Sequence, residues 1–152
     1  MAKKQAKSKA KKICWGIIGS TGWAEHTFSP AIEEARGAEL RAVLSSTKAK
    51  AEDFCQRHKI ENGYSKLADF VADKSIDAVW IAGPNYLHKE QAVAALAAGK
   101  HVLCEKPMAI TPAECRAMIR AAKKARRKLH IAYNTRHHPK IQAVREEWMA
   151  GR

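Results

Sequence analysis

The feature that most constrains this chain is a recurrence of short apolar runs, each stopped by glycine, proline or a polar turn and each followed by a helix-forming stretch. The runs are ICWGIIG (13–19), ELRAVLSS (39–46), IDAVWIAG (76–83), HVLC (101–104) and KLHIAYN (128–134), with a very short strand at 62–64. Helical stretches fall at 23–36, 48–58, 65–73, 89–99 and from the Thr111–Glu114 capping box to about 126, and a last one at 139–152 reaches the end of the sequence. Runs of this length with hardly a polar residue, such as 76–83, suit strands buried on both faces. Strands that alternate with helices need right-handed crossovers, which put helices on both faces of a parallel sheet. The expected fold class is therefore α/β, a doubly wound parallel sheet. At 152 residues one such domain buries roughly 70% of the surface its unfolded chain exposes. Within the first helical stretch, Ser29-Pro30 is expected to restart the helix, with serine as the cap and proline in the first turn.

Charge divides the chain unevenly. Six lysines (Lys3, Lys4, Lys7, Lys9, Lys11 and Lys12) stand in the opening twelve residues, and the rest carries +7 of the net +13. With no apolar face, 1–12 is expected to be a disordered basic tail. It lacks the apolar core of a secretory signal and the arginines of a mitochondrial presequence. No apolar run approaches the roughly 18 residues of a membrane span, so no membrane partner is expected and the location reads as cytoplasmic. Further cations gather in KKARRK (123–128). No aromatic residue interleaves with them, so specific nucleic-acid binding is not expected. Cys14, Cys55, Cys104 and Cys115 show no C-x-x-C and no zinc spacing, which reads as reduced thiols and no metal site.

In an open parallel sheet, ligands bind outside the carboxyl ends of the strands. The first strand ends in GIIGSTGWA (16–24), whose turn residues Gly19, Ser20, Thr21, Gly22 and Trp23 resemble a dinucleotide fingerprint with Thr21 in place of the second glycine. A generic strand-to-helix turn would use the same glycines. The second strand ends in Ser45, Ser46, Thr47 and Lys48, with no acid before Glu52. Hydroxyls and a cation here favour a 2′-phosphate over a free ribose, and so NADP over NAD; the competing reading is an ordinary loop with Thr47 as helix cap. The fourth strand ends in Pro84 and Asn85, and His88 follows as either a proton shuttle or the structural first residue of a helix. The fifth strand ends in Glu105-Lys106-Pro107. Proline disfavours helical geometry for the preceding residue, so Lys106 is held at the strand end, as a surface ion-pair partner or as a group for charge stabilisation and proton transfer.

With GPNYLHKEQAVAALAAGKHVLCEKPMAITPAE in view, the chain resembles the glucose-fructose oxidoreductase and inositol dehydrogenase family (Gfo/Idh/MocA). The glycine turn, the P-N-x-x-H turn, the A-x-x-A-G-K-H-V-x-C-E-K-P block, and Arg136 with Pro139 occur in the family's order from Ile13 to the end. The resemblance implies a Rossmann NAD(P)-binding domain over 13–134 and an oxidoreductase acting on a secondary alcohol or carbonyl of sugar or cyclitol type. It implies Lys106 as catalytic residue near the nicotinamide. Glu105 and Asn85 would lie along the ribose and nicotinamide side, His88 would support the P-N turn, and Arg136 would approach the carboxamide end. Family members continue into a second substrate domain, so 135–152 is expected to lead toward a domain absent from this sequence, and a sugar or polyol substrate needs that domain supplied. The alternative is a freestanding, non-catalytic NADP(H)-binding regulatory module. The oligomeric state is not legible.

Overall fold

The computed structural model describes residues 12–151. The expected disordered tail therefore lies outside the described residues except for Lys12, as does the last residue of the expected final helix. Six strands form one wholly parallel sheet: β1 (Ile13–Ile18), β2 (Ala38–Leu44), β3 (Asn62–Tyr64), β4 (Ala78–Ile81), β5 (His101–Cys104) and β6 (Leu129–Ile131). Their order is β3-β2-β1-β4-β5-β6. The chain thus winds outward in one direction from β1 to β3, then returns to the centre and winds outward in the other. The α/β doubly wound reading holds; β5 coincides with its apolar run, and β1, β2, β4 and β6 are one to four residues shorter than theirs because the run ends turn out into the loops.

Helices α1 (Ser29–Glu34) and α2 (Lys48–His58) cover one face. There Ile17, Val43, Trp80 and Phe54 form a buried cluster, and Phe28 stacks on Trp80 at 4.2 Å between ring centroids. On the other face α3 (Leu67–Ala72), α4 (His88–Ala97) and α5 (Pro112–Ala125) bury Phe70, Leu96 and Met118 against Ile18, Val79, Ile81 and Val102. Successive strand residues such as Val79, Trp80 and Ile81 enter opposite clusters, as the pleat requires, and β4 is buried throughout. Each such large apolar side chain contributes roughly 1.5–3 kcal/mol. Gly16 interrupts β1 for a packing reason: a Cβ there would lie 2.6 Å from Phe70 Cζ.

Two local features differ from expectation. Residues Ala24–Phe28 form a π-helical turn, and Ser29 closes that turn instead of capping the start of α1, where Phe28 stands in the N-cap position. The Ser29 backbone N–H and hydroxyl both donate to Ala24 O, and Ser29 is fully buried. Pro30 has no N–H to offer and its ring crowds the carbonyl four residues back, so the wider turn absorbs the break. Helix α6 (Pro139–Met149) follows a 3-10 turn at Asn134–His137 and has no buried residue. It exposes Ile141, Val144, Trp148 and Met149, the first three spaced as one helical stripe.

Candidate functional site

The sheet order reverses between β1 and β4, and a crevice opens there at the carboxyl ends of the strands. Gly19 shapes its floor. Its φ of +104° is one that L side chains rarely adopt, and a Cβ would lie 3.0 Å from Gly83 N and 3.1 Å from Ala82 C, so the turn after β1 passes directly over the end of β4. The Gly19 N–H is fixed by Leu44 O at 2.9 Å. Thr21, in the place of the second fingerprint glycine, accepts from Ala24 N through Oγ1 at 3.3 Å, so the departure from the motif supplies a helix cap. Gly22 is under no comparable constraint from the protein: the nearest atom to a Cβ would be His26 Cδ2 at 3.9 Å.

The crevice has two lobes that share Gly83. The larger, about 730 Å³, runs between the ends of β1, β2 and β4 and takes in Gly19, Ser20, Thr21, Ser45, Ser46 and Pro84. Ser20 Oγ and Ser45 Oγ are hydrogen-bonded across the two turns. Thr47 and Lys48 do not line it. Thr47 Oγ1 accepts from Lys50 N at 3.3 Å as the α2 cap, and Lys48 pairs with Glu52 at 3.7 Å. Lys50, Asp53 and Arg57 line the lobe instead, at spacings that place them on one side of α2. That helix was legible in the sequence, and following its face past the first turn would have found them. Arg57 is already engaged, by Asp53 at 2.8 Å and by Glu25, with its guanidinium over the Phe54 ring. Lys50 makes no ion pair among the described residues. From α4, Gln91 also faces the lobe, and its Oε1 is buried without a hydrogen-bond partner.

The smaller lobe, about 540 Å³, lies between the ends of β1, β4, β5 and β6 and contains Trp23, Asn85, Glu105 and Lys106. Glu105 and Lys106 do not form an ion pair. The Glu105 carboxylate accepts from Trp23 Nε1 at 3.3 Å, and Lys106 forms no salt bridge among the described residues. The Lys106–Pro107 peptide is cis. Just behind, burial pushes the Cys104 thiol up to about 12, with the Glu105 charge adding to it, so this cysteine is no nucleophile at neutral pH. Tyr133, Asn134 and Thr135 complete the lobe; Arg136, the expected contributor from that segment, lies outside it.

His88 is fully buried and lines neither lobe, which places it behind the crevice wall instead of against a ligand. Its Nδ1 lies 2.9 Å from Pro107 O and its Nε2 3.1 Å from Gly83 O. It therefore ties the turn that presents Asn85 to the turn that presents Lys106. Nothing in the sequence signals this link between residues 19 positions apart, nor that of Trp23 with Glu105 across 82 positions.

Among the described residues no three His, Cys, Asp or Glu side chains cluster as a metal site, and no helix is long and apolar enough to cross a membrane. The model of the Gfo/Idh/MocA oxidoreductase family, an NAD-binding Rossmann fold, matches residues 13–133. A scyllo-inositol 2-dehydrogenase (NADP(+)) of Bacillus subtilis is 42% identical over 111 residues, which is 73% of this chain and 34% of that protein. A 1,5-anhydro-D-fructose reductase of Ensifer adhaerens is 34% identical over 91% of this chain and 41% of its own length. The crystal structure of KijD10, a 3-ketoreductase of Actinomadura kijaniata in complex with NADP, superposes with a TM-score of 0.86 at 29% identity, over 93% of this chain and 45% of that one. The chain spans about two fifths of the length of the curated relatives it matches.

Proposed function

The chain belongs to the Gfo/Idh/MocA oxidoreductase family, and from that premise we propose that its crevice holds NADP(H) for hydride exchange with a secondary alcohol or carbonyl of a sugar or cyclitol. The observation that carries the reading is the close pass of Gly19 over Gly83 at the strand-order reversal, with lone donors and acceptors on either side.

The residues present fit the cofactor. A dinucleotide needs backbone close to its pyrophosphate, and the open space at Gly22 gives it. The Ser45 and Ser46 hydroxyls and the Lys50 ammonium, which line the larger lobe, suit a 2′-phosphate; Thr47 caps α2, and neither it nor Lys48 lines the lobe. Gln91 Oε1 offers an acceptor that the protein leaves unmatched. The inositol dehydrogenase and the ketoreductase named above carry NADP in their descriptions, which supports the preference.

When bound, the nicotinamide supplies the hydride donor or acceptor. The protein supplies orientation and charge. Lys106 Nζ, free of an acid partner, stabilises negative charge on the reacting oxygen or passes it a proton. Glu105 is steered from Lys106 by Trp23 and is left to a ribose hydroxyl, with Asn85 as the amide partner beside it. His88 braces both turns from behind. The substrate-binding part of the protein packs on α6, whose Ile141, Val144 and Trp148 form an uncovered apolar stripe, so 135–152 serves as the connection between the two parts.

Calorimetric titration of NADPH and NADH tests the cofactor reading. Saturable binding with NADPH tighter by tenfold or more is expected, and equal or tighter NADH binding overturns the assignment of Lys50. In a form of the protein carrying a substrate-binding part, Lys106→Ala should cost about 10²–10⁴ in turnover while cofactor affinity stays within threefold. Unchanged turnover would remove Lys106 from the mechanism.

A further inference from the structure

Outside the cofactor crevice, the chain's positive charge is gathered in two segments of the sequence. Of the net +13, six charges belong to the tail lysines, and residues 112–130 contribute seven cations against the single acid Glu114. Removing both segments leaves a net charge of +1. The excess is thus confined to two places.

Only the second of these places lies wholly among the described residues. Along α5, Arg116, Arg120 and Lys123 recur at helical spacing, opposite the buried Met118 and Ala122, and Arg127 extends the line past the helix end. Arg126 closes the helix in the left-handed conformation with φ of 53°, and Arg127 Nε donates to Gly99 O at 2.5 Å. Arg116, Arg120, Lys123 and Lys124 are exposed and make no ion pair among the described residues. At the amino-terminal edge of the sheet, Ile13 N donates to Gly37 O, Asp77 N to Cys14 O, His101 N to Asp77 O and Val102 N to Lys128 O. These bonds run across the sheet from the residue that follows the tail to the turn that carries the arginines. Three strand spacings separate β1 from β6, roughly 14 Å.

We infer that this exposed face of α5 binds the phosphate backbone of a nucleic-acid duplex without reading its sequence. From residue 116 to 127 the stripe is about 16 Å long, against a duplex that presents one negative charge per about 1.7 Å. Three of its members are arginines, whose planar forks match phosphate in pairs of hydrogen bonds. No Phe, Tyr or Trp lies in 112–130, so the α5 stripe carries no large aromatic platform for base stacking. A membrane surface fits less well. Ile119 is the one large exposed apolar residue of α5, and the rest of its apolar side is spent on the core, which leaves little to insert between lipids.

The test is fluorescence anisotropy of a labelled 24-base-pair DNA duplex of mixed sequence, titrated with the full chain between 50 and 200 mM salt. If the stripe neutralises about four phosphates, affinity falls about 10²-fold over that range, and a scrambled duplex binds equally. Arg116→Glu/Arg120→Glu/Lys123→Glu should weaken binding at least thirtyfold at 50 mM salt. The gentler Arg116→Gln/Arg120→Gln should weaken it about tenfold, and both variants should keep the wild-type melting curve and NADPH affinity. The inference is overturned if the folded variants bind the duplex as the wild type does, which would assign the effect to the tail. It is equally overturned by affinity indifferent to salt, or by phosphatidylserine vesicles capturing the chain in preference to the duplex.

Discussion

Replacing Gly19 by alanine separates the physical demands on the turn that shapes the crevice. The residue sits at φ +104°, and the added methyl would lie 3.0 Å from Gly83 N and 3.1 Å from Ala82 C, both backbone atoms with little room to yield. The unfavourable backbone conformation costs on the order of 1–3 kcal/mol, and the overpacking about 1–3 kcal/mol more. A total of about 3 kcal/mol is a large share of the roughly 5–15 kcal/mol that holds such a domain together. With a urea m-value of about 1.5 kcal/mol/M, the midpoint should fall by about 2 M. Two companions isolate the contributions. Gly37 has φ +80° but nothing within 4 Å of its Cβ position, so Gly37→Ala should lose about 1 kcal/mol from strain alone. At Gly22 φ is ordinary and the nearest atom is 3.9 Å away, so Gly22→Ala should stay within about 0.5 kcal/mol of wild type. If a dinucleotide approaches the backbone there, that same variant loses NADPH affinity while keeping its stability. Equal losses for all three variants, or a Gly19→Ala midpoint within 0.3 M of wild type, would refute the close-pass geometry.

Three other expectations are open to direct measurement. Cys104 is fully buried with its thiol held near 12, so in the folded protein it should resist a thiol reagent at pH 8 that labels it promptly after denaturation. Burial, and then the neighbouring Arg57 charge, lower the His58 pKa from 6.5, with His26 adding to them and the Glu33 carboxylate opposing. The unfolded chain then takes up the proton first as pH falls. Stability attributable to His58 is full above about pH 6.5 and is lost below it; His58→Gln should flatten urea midpoints between pH 7.5 and 5.5, and an unchanged slope would discard His58 as the cause. Lys50→Glu should weaken NADPH at least tenfold and NADH less than threefold, by calorimetry; parallel losses would move the 2′-phosphate away from Lys50.

The alternation of apolar runs and helices made the fold legible, because period and run length are properties of the local sequence. The strand-end rule likewise pointed to Gly19, Ser45, Asn85 and Lys106, all of which line the crevice. What stayed hidden depends on partners distant in sequence or on a choice between neighbours. Ser29 looked like a cap, but its hydroxyl finds Ala24 O inside a π turn. Lys48 suited the phosphate cation by its place at the strand end, but it does not line the larger lobe, whereas Lys50, two residues on, does. His88 suited both a shuttle and a brace, and only the approach of Pro107 O to its ring distinguishes them. Arg136 does not line the smaller lobe, where the 3-10 turn at Asn134–His137 presents Asn134 and Thr135.

The central claim is that the switch-point crevice is the nicotinamide dinucleotide site, and an amide-resolved NMR titration of the chain with NADPH tests it most directly. The account predicts saturable shifts at Gly19, Ser20, Gly22, Ser45, Gly83 and Asn85, with the amino-terminal edge of the sheet unmoved. No saturable shift up to millimolar NADPH, or shifts confined to α5 and its basic turn, would contradict it.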